Sequence, residues 1–176
     1  MLGGASGGLI GTIVKTGKQN MTNGQGWRAM RDDDLDAVSA ISDMVHRDFR
    51  ESRDVYAERL ALYPAGCIVF EQDGVVKGFL VAHPWHDDDA PALGARLGSL
   101  PHTRDNFYLH DIALLPETRG SGAGRSATAY VLAHAQEAGF DHISLVAVNG
   151  ADSYWKAQGF ETVEATKNGG PLPGYG

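Results

Sequence analysis

A single cysteine, Cys67, stands in the 176-residue chain, so no internal disulfide can form and a secreted disulfide scaffold is excluded. No group of cysteines and histidines has zinc spacing, which leaves a structural metal without ligands. Cys67 sits in the apolar run Gly66-Cys-Ile-Val-Phe70 and reads as a small buried hydrophobe rather than a nucleophile. Long apolar runs are missing too, and none approaches the ~20 residues of a membrane span, so no membrane role is expected. Basic residues are in deficit. With 15 Lys+Arg against 22 Asp+Glu, the formal net charge is -7, which argues against nucleic acid as a partner and is compatible with a cationic small substrate.

Glycine is in surplus, with 23 residues in the chain, nearly twice the usual share of ~7%. No triplet period accompanies them, which excludes collagen. Twelve fall before Trp27 or after Asn168 and divide the chain into three parts. Residues 1–25 read as a flexible N-terminal extension, 26–168 as one domain and 169–176 as a flexible C-terminal tail. The apolar patch Leu9-Ile10-Gly-Thr-Ile13-Val14 has no basic residues ahead of it and no clear cleavage site, so it is not read as a signal peptide. Gly17-Lys18 is not a phosphate loop, because the spacing to Gly11 is wrong and Gln19 replaces Ser/Thr.

Within 26–168 the patterning is mixed. Trp27 to Arg31 alternates like a strand, and Asp32 can cap a helix whose apolar positions are Leu35, Val38, Ile41, Met44 and Val45. A second helix is expected over 53–62, ending before Pro64. Strands at 66–72 and 75–82 flank Asp73-Gly74, a hairpin signal. A long loop over 84–105 follows. Then come a strand at 107–114, a helix at 122–138 and a doubly apolar central strand at 143–148. A short helix at 150–157 and a strand from 160 to 166 close the domain. Strands come first in antiparallel order and crossover helices later, so the fold class is mixed α/β.

Chemistry concentrates in Arg119-Gly-Ser-Gly-Ala-Gly124, between a strand and a long helix. Glycines let backbone N–H groups turn toward a ligand, and the helix start adds unpaired donors and partial positive charge. Together with Arg119 and Arg125 they suit a phosphate or pyrophosphate, to which Ser121 or Ser126 can add a hydroxyl. Gly122-Ala-Gly124-Arg-Ser-Ala127 also satisfies the dinucleotide fingerprint, but it lies too late in the chain to open a parallel βαβ sheet.

Arg119-x-x-Gly122-x-Gly124 resembles the acetyl-CoA signature of the GNAT superfamily of N-acetyltransferases. Leu109-His-Asp-Ile-Ala-Leu-Leu-Pro116 is similar to the strand before that loop. Asn149-Gly-Ala-Asp-Ser-Tyr-Trp-Lys-Ala-Gln-Gly-Phe160 resembles the later Asn, paired-aromatic and Gly-Phe motif, and Trp27 to Leu35 resembles the opening strand and helix. The resemblance spans 26 to about 166. It implies a central mixed, mostly antiparallel sheet of 6–7 strands flanked by about four helices. It also implies transfer of an acetyl group from acetyl-CoA to the amine of a small molecule in a ternary complex, in the cytoplasm and without a metal. Homodimers are common in such families, although no interface signal is visible here.

By the same resemblance, the backbone of Gly120, Ser121, Gly122, Ala123 and Gly124 holds the pyrophosphate beside Arg119 and Arg125. The strand at 107–114 splays from 143–148 to admit the pantetheine arm. Leu114 contacts that arm and offers its N–H to the thioester oxygen, and Asn149 and Trp155 contact the cofactor from the other side. His110 is the candidate base, needed because an alkyl ammonium with a pKa near ~10.4 arrives protonated. Asp111 either orients His110 or is itself the base. Arylalkylamine members carry two histidines that fall on Tyr108 and His110; one is kept. Many members have a tyrosine acid where Trp155 stands here, and indole cannot usefully deliver a proton. Tyr154 is the alternative, about 100° away around the helix. The 83–106 loop, with Trp85, His86 and three aspartates, is read as the acceptor side, alongside Tyr108, although an acidic turn can equally be mere solvated surface. A non-catalytic acyl-CoA-binding domain is the other reading, favoured by Trp155.

Overall fold

A computed structural model describes residues 8–12, 25–86 and 90–163. Its elements are β1 (Gly8–Thr12), β2 (Gln25–Ala29), α1 (Leu35–Val45), α2 (Arg53–Leu62), β3 (Cys67–Gln72), β4 (Val75–Trp85), β5 (Asn106–Leu114), α3 (Ala123–Glu137), β6 (His142–Val146), α4 (Asp152–Ala157) and β7 (Glu161–Val163). They build a seven-stranded sheet ordered β2-β3-β4-β5-β6-β1-β7. β2 to β5 pair antiparallel in sequence, while β5 and β6 pair parallel across the α3 crossover.

The expectation of an N-terminal extension outside the sheet does not hold for Gly8–Thr12, which lies between β6 and β7 and is antiparallel to both. A strand flanked on both sides is held by main-chain bonds that any sequence can make, so its glycines and short apolar patch were no guide.

Each sheet face has its own core. One joins α3 and α4 to Trp27, Leu80, Phe107, Leu109, Ile143 and Leu145. The other joins α1 and α2 to Cys67, Val69, Phe79, Val81 and Ala113. Met44, expected on the inner face of α1, is 57% exposed, and the buried stripe runs through Leu35, Val38, Ile41 and Ser42 instead. The cap also differs from expectation. Asp34, not Asp32, accepts the Arg31 N–H at 2.8 Å, and its carboxylate is gripped by both terminal nitrogens of Arg28. Arg28 also reaches Glu71 at 2.6 Å, tying β2, β3 and the start of α1 together.

Two irregularities position the site. The β4–β5 register passes from Val81↔Asp111 to Ala82↔Leu109, leaving His110 as an extra residue in a bulge. The bulge switches the alternation. Phe107 and Leu109 face α3, whereas Asp111 and Ala113 face α1 and α2. The second irregularity is a split: β5 and β6 pair only from Phe107↔Ile143 to Leu109↔Leu145, after which the strands part.

Candidate active site

The parted strands open a cleft of about 670 Å³. At one end lie Arg119, Gly120, Gly122, Gly124 and Arg125; His46, Glu51, His110 and Asp111 line the other. Leu114, Val146, Val148 and Asn149 line the walls between.

The anion end owes its shape to its glycines. Gly120 and Gly122 have φ of +79° and +84°, the left-handed region, and Gly122 caps α3. Gly124 keeps its neighbours close. A Cβ there would meet the Tyr154 hydroxyl at 3.3 Å and Leu114 Cδ1 at 3.6 Å. Arg119 and Arg125 line this end of the cleft beside the start of α3, an arrangement that suits an anion. Ser121 departs from expectation: it does not line the cleft, because its hydroxyl donates to the Thr118 carbonyl and accepts the Ala123 N–H inside the loop. Ser126 is likewise used internally, under the Trp27 indole.

At the other end, His110 Nε2 and Glu51 Oε2 are 2.6 Å apart, with side chains 1% and 3% exposed. Glu51 fixes the proton on Nε2, so the neutral ring keeps its lone pair on Nδ1, which has no hydrogen-bond partner among the described residues. Asp111 does not orient His110. Its oxygens take His46 Nε2 at 2.7 Å and the Tyr56 hydroxyl at 2.7 Å, because the bulge turns adjacent residues toward different partners. Burial alone raises the Asp111 carboxyl, but the His46 charge and bond outweigh it and hold the group below the ordinary range. Burial pushes the Tyr56 hydroxyl up, and nearby Asp111 adds to this.

Both aromatics of α4 line the cleft. Trp155 is 4% exposed and packs edge-on against Phe160 at 5.3 Å. Tyr154 is not turned away from the cleft, as its angular offset predicted. Its hydroxyl sits over the first turn of α3, 3.4 Å from Thr128 Oγ1. A six-residue helix starting at Asp152 presents both positions to the opening.

Trp85, His86 and Tyr108 do not line the cleft, contrary to their expected acceptor role. Trp85 pairs with Asn106 at the start of β5, whereas the cleft opens toward Leu114 at its end. Tyr108 is 1% exposed, its ring 5.7 Å from that of His83. Asp87, Asp88 and Asp89 lie outside the described residues. Val45, Phe49 and Leu93 line the cleft instead. Leu93 belongs to a loop tied to the body by Gly94 N–H to Glu51 at 2.7 Å and Leu97 N–H to Glu58 at 2.6 Å.

A family model described as the acetyltransferase (GNAT) family matches residues 29–160. The chain belongs to this family. Its fold is shared by Ard1 from Thermoplasma volcanium, at 17% identity and TM-score 0.61 over 77% of this chain and 81% of that one. It is also similar to a GNAT family acetyltransferase from Brucella melitensis in complex with acetyl-CoA, at 20% identity and TM-score 0.54 over 80% and 85%. The GphF GNAT-like decarboxylase in complex with isobutyryl-CoA is 27% identical, with TM-score 0.52 over 62% of this chain and 58% of that one. The chain thus spans less than two thirds of the GphF chain. A search of curated proteins returned no match. Among the described residues no helix is long and apolar enough to cross a membrane, and no cluster of potential ligands can hold a metal. As in other GNAT proteins, an acyl-CoA is the group the glycine loop suits.

His46, Glu51 and Tyr56 escaped sequence reasoning. They sit at a helix end, in a loop and on a helix whose spacing marks only an inner face. No local pattern joins them to β5.

Proposed function

We propose that this chain transfers an acetyl group from acetyl-CoA to the primary amine of a small molecule, by direct attack in a ternary complex in the cytoplasm. One observation carries the reading: a single cleft joins an anion-binding loop to a buried histidine–carboxylate pair across the split of β5 and β6.

In this reading Arg119, Arg125 and the amides of Gly120, Gly122 and Gly124 hold the pyrophosphate, those of Ser121 and Ala123 being spent inside the loop, and Asn149 and Leu114 flank the arm. His110, whose Nδ1 is buried and without a hydrogen-bond partner among the described residues, takes the ammonium proton once the acceptor has displaced the groups covering it. The freed amine attacks the thioester carbon, the Leu114 N–H steadies the oxygen as charge develops there, and the carbon–sulfur bond breaks. Tyr154 relays the proton shed by the attacking nitrogen to the leaving sulfur, which departs as the thiol. A thiol of pKa near ~8.5 needs little such help. The other end of the cleft carries Glu51 and Asp111 and, among the described residues, no lysine or arginine, which favours a cationic or neutral acceptor with an apolar body against Val45, Phe49 and Leu93.

Isothermal titration with acetyl-CoA, followed by coenzyme A release across an amine panel, tests the proposal. Binding with amine-dependent release is expected; no binding overturns it, and binding without turnover identifies a non-catalytic domain. The likeness to the GphF decarboxylase favours a second reading, in which a carboxyacyl-CoA loses carbon dioxide with no amine present. Mass analysis of that incubation separates the two.

A further inference from the structure

Asn149 follows β6 by three residues with φ +56°, left-handed for a residue with a side chain, and lines the cleft. Its Nδ2 lies 3.2 Å from His46 Nδ1. His46 is 7% exposed. Its Nε2 faces Asp111 Oδ1 at 2.7 Å, and Asp111 Oδ2 is taken by Tyr56, whose oxygen lies 2.7 Å from Ser42 Oγ. Because Tyr56 donates to Asp111, Ser42 donates to Tyr56. An acceptor-only carboxylate therefore requires N–H at His46 Nε2. The neutral ring then has its lone pair at Nδ1, and that lone pair accepts the Asn149 amide N–H. A carboxamide has two unlike faces, so giving its NH₂ to His46 leaves its carbonyl oxygen for the cleft.

We propose that His46 is a positioning residue that selects which face of the Asn149 carboxamide meets the acyl-CoA arm. Protonation of His46 reverses that face and weakens binding. This rests on the reading above that Asn149 contacts the arm.

A protonated ring carries N–H at both nitrogens. Nδ1–H repels the amide NH₂ and draws the carbonyl oxygen, so the carboxamide turns half a revolution and presents a donor to the cleft. The amide N–H groups of a pantetheine arm then lose their acceptor. His46 is met by Asp111 and the Ile112 backbone on β5, Glu51 after α1 and Asn149 after β6, with Tyr56 on α2 and His110 on β5 bonded in turn to Asp111 and Glu51. Burial on its own disfavours charge on His46, but the Asp111 charge and hydrogen bond, with Glu51, prevail and lift it above the ordinary imidazole range. Linkage makes the effect reciprocal: if the proton weakens coenzyme A binding, coenzyme A must lower the His46 midpoint.

Coenzyme A affinity is measured by calorimetry from about pH 8.5 to about pH 5.5, spanning histidine titration, in the unmodified protein and in His46→Gln. Titration of the coenzyme's own phosphates is common to both and cancels. Affinity is expected to fall about tenfold more in the unmodified protein, a typical coupling; parallel profiles overturn the proposal. Should His46→Gln not fold, imidazole NMR of the unmodified protein gives a second measurement. Bound coenzyme A is expected to lower the His46 midpoint by about one pH unit, the same tenfold coupling. A midpoint unchanged or raised overturns the proposal, as does a lowering that persists in Asn149→Ala. No binding at any pH overturns the acyl-CoA reading and this one with it.

Discussion

Glu51 joins two parts of the molecule through one carboxylate: Oε2 lies 2.6 Å from His110 Nε2, and Oε1 accepts the Gly94 N–H at 2.7 Å. The base candidate and the loop carrying Leu93 thus share a buried anchor that belongs to neither β5 nor the loop.

Replacing His110 with Ala is expected to lower kcat about 100-fold, the scale of a positioned proton acceptor, with the acetyl-CoA KM little changed. Glu51→Gln, which keeps the hydrogen bonds but not the charge, should cost less. Coenzyme A thiol release measures both, and added imidazole should partly rescue His110→Ala alone.

Arg119→Ala removes one formal charge from the anion end. Acetyl-CoA affinity should fall about tenfold, or ~1.4 kcal/mol, the scale of a charge-assisted contact. Calorimetry should also show affinity in the unmodified protein declining more steeply with salt, as expected for a screened charge.

The two aromatics of α4 should separate by assay. Tyr154→Phe is expected to lower kcat by up to about tenfold, the loss of ~1.4 kcal/mol of transition-state help, without changing stability. Trp155→Ala empties a buried site and should destabilise by about 3–5 kcal/mol, read from urea unfolding. Equal stability of the two variants would contradict this packing.

His83 is 1% exposed, and burial, aided by nearby His110, pushes its imidazole down to about 3. The unfolded chain binds that proton near ~6.5 and the folded one does not, so stability is lost as pH falls below ~6.5, by up to ~1.4 kcal/mol per unit. Urea midpoints at neutral and acid pH should fall less in His83→Asn than in the unmodified protein.

Burial pushes the Cys67 thiol up to about 12, with Arg59 only partly opposing it. Native protein should resist a thiol reagent at mildly alkaline pH and react fully in denaturant. Rapid labelling of the native state would refute its burial.

The glycine loop and the α2 and α3 boundaries were legible because their causes are local. Glycine at 120 and 122 admits a left-handed backbone, Pro64 limits a helix, and Asp73-Gly74 closes a hairpin. The expected α2, over 53–62, matches Arg53–Leu62. Periodicity failed at Met44, which the spacing placed inward, because a helix covers its core with a narrower stripe than its apolar residues mark.

What the sequence determined by itself, then, was the family resemblance and the glycine loop at one end of the cleft, contiguous from Arg119 to Arg125. The tertiary structure alone decided which partners meet the candidate residues His110 and Asp111. His46, Glu51 and Tyr56 reach β5 from 65, 59 and 55 residues away, and one bulge residue assigns Glu51 to His110 and His46 to Asp111. Side-chain pairing across such separations depends on how two packed elements face one another, which no local propensity encodes.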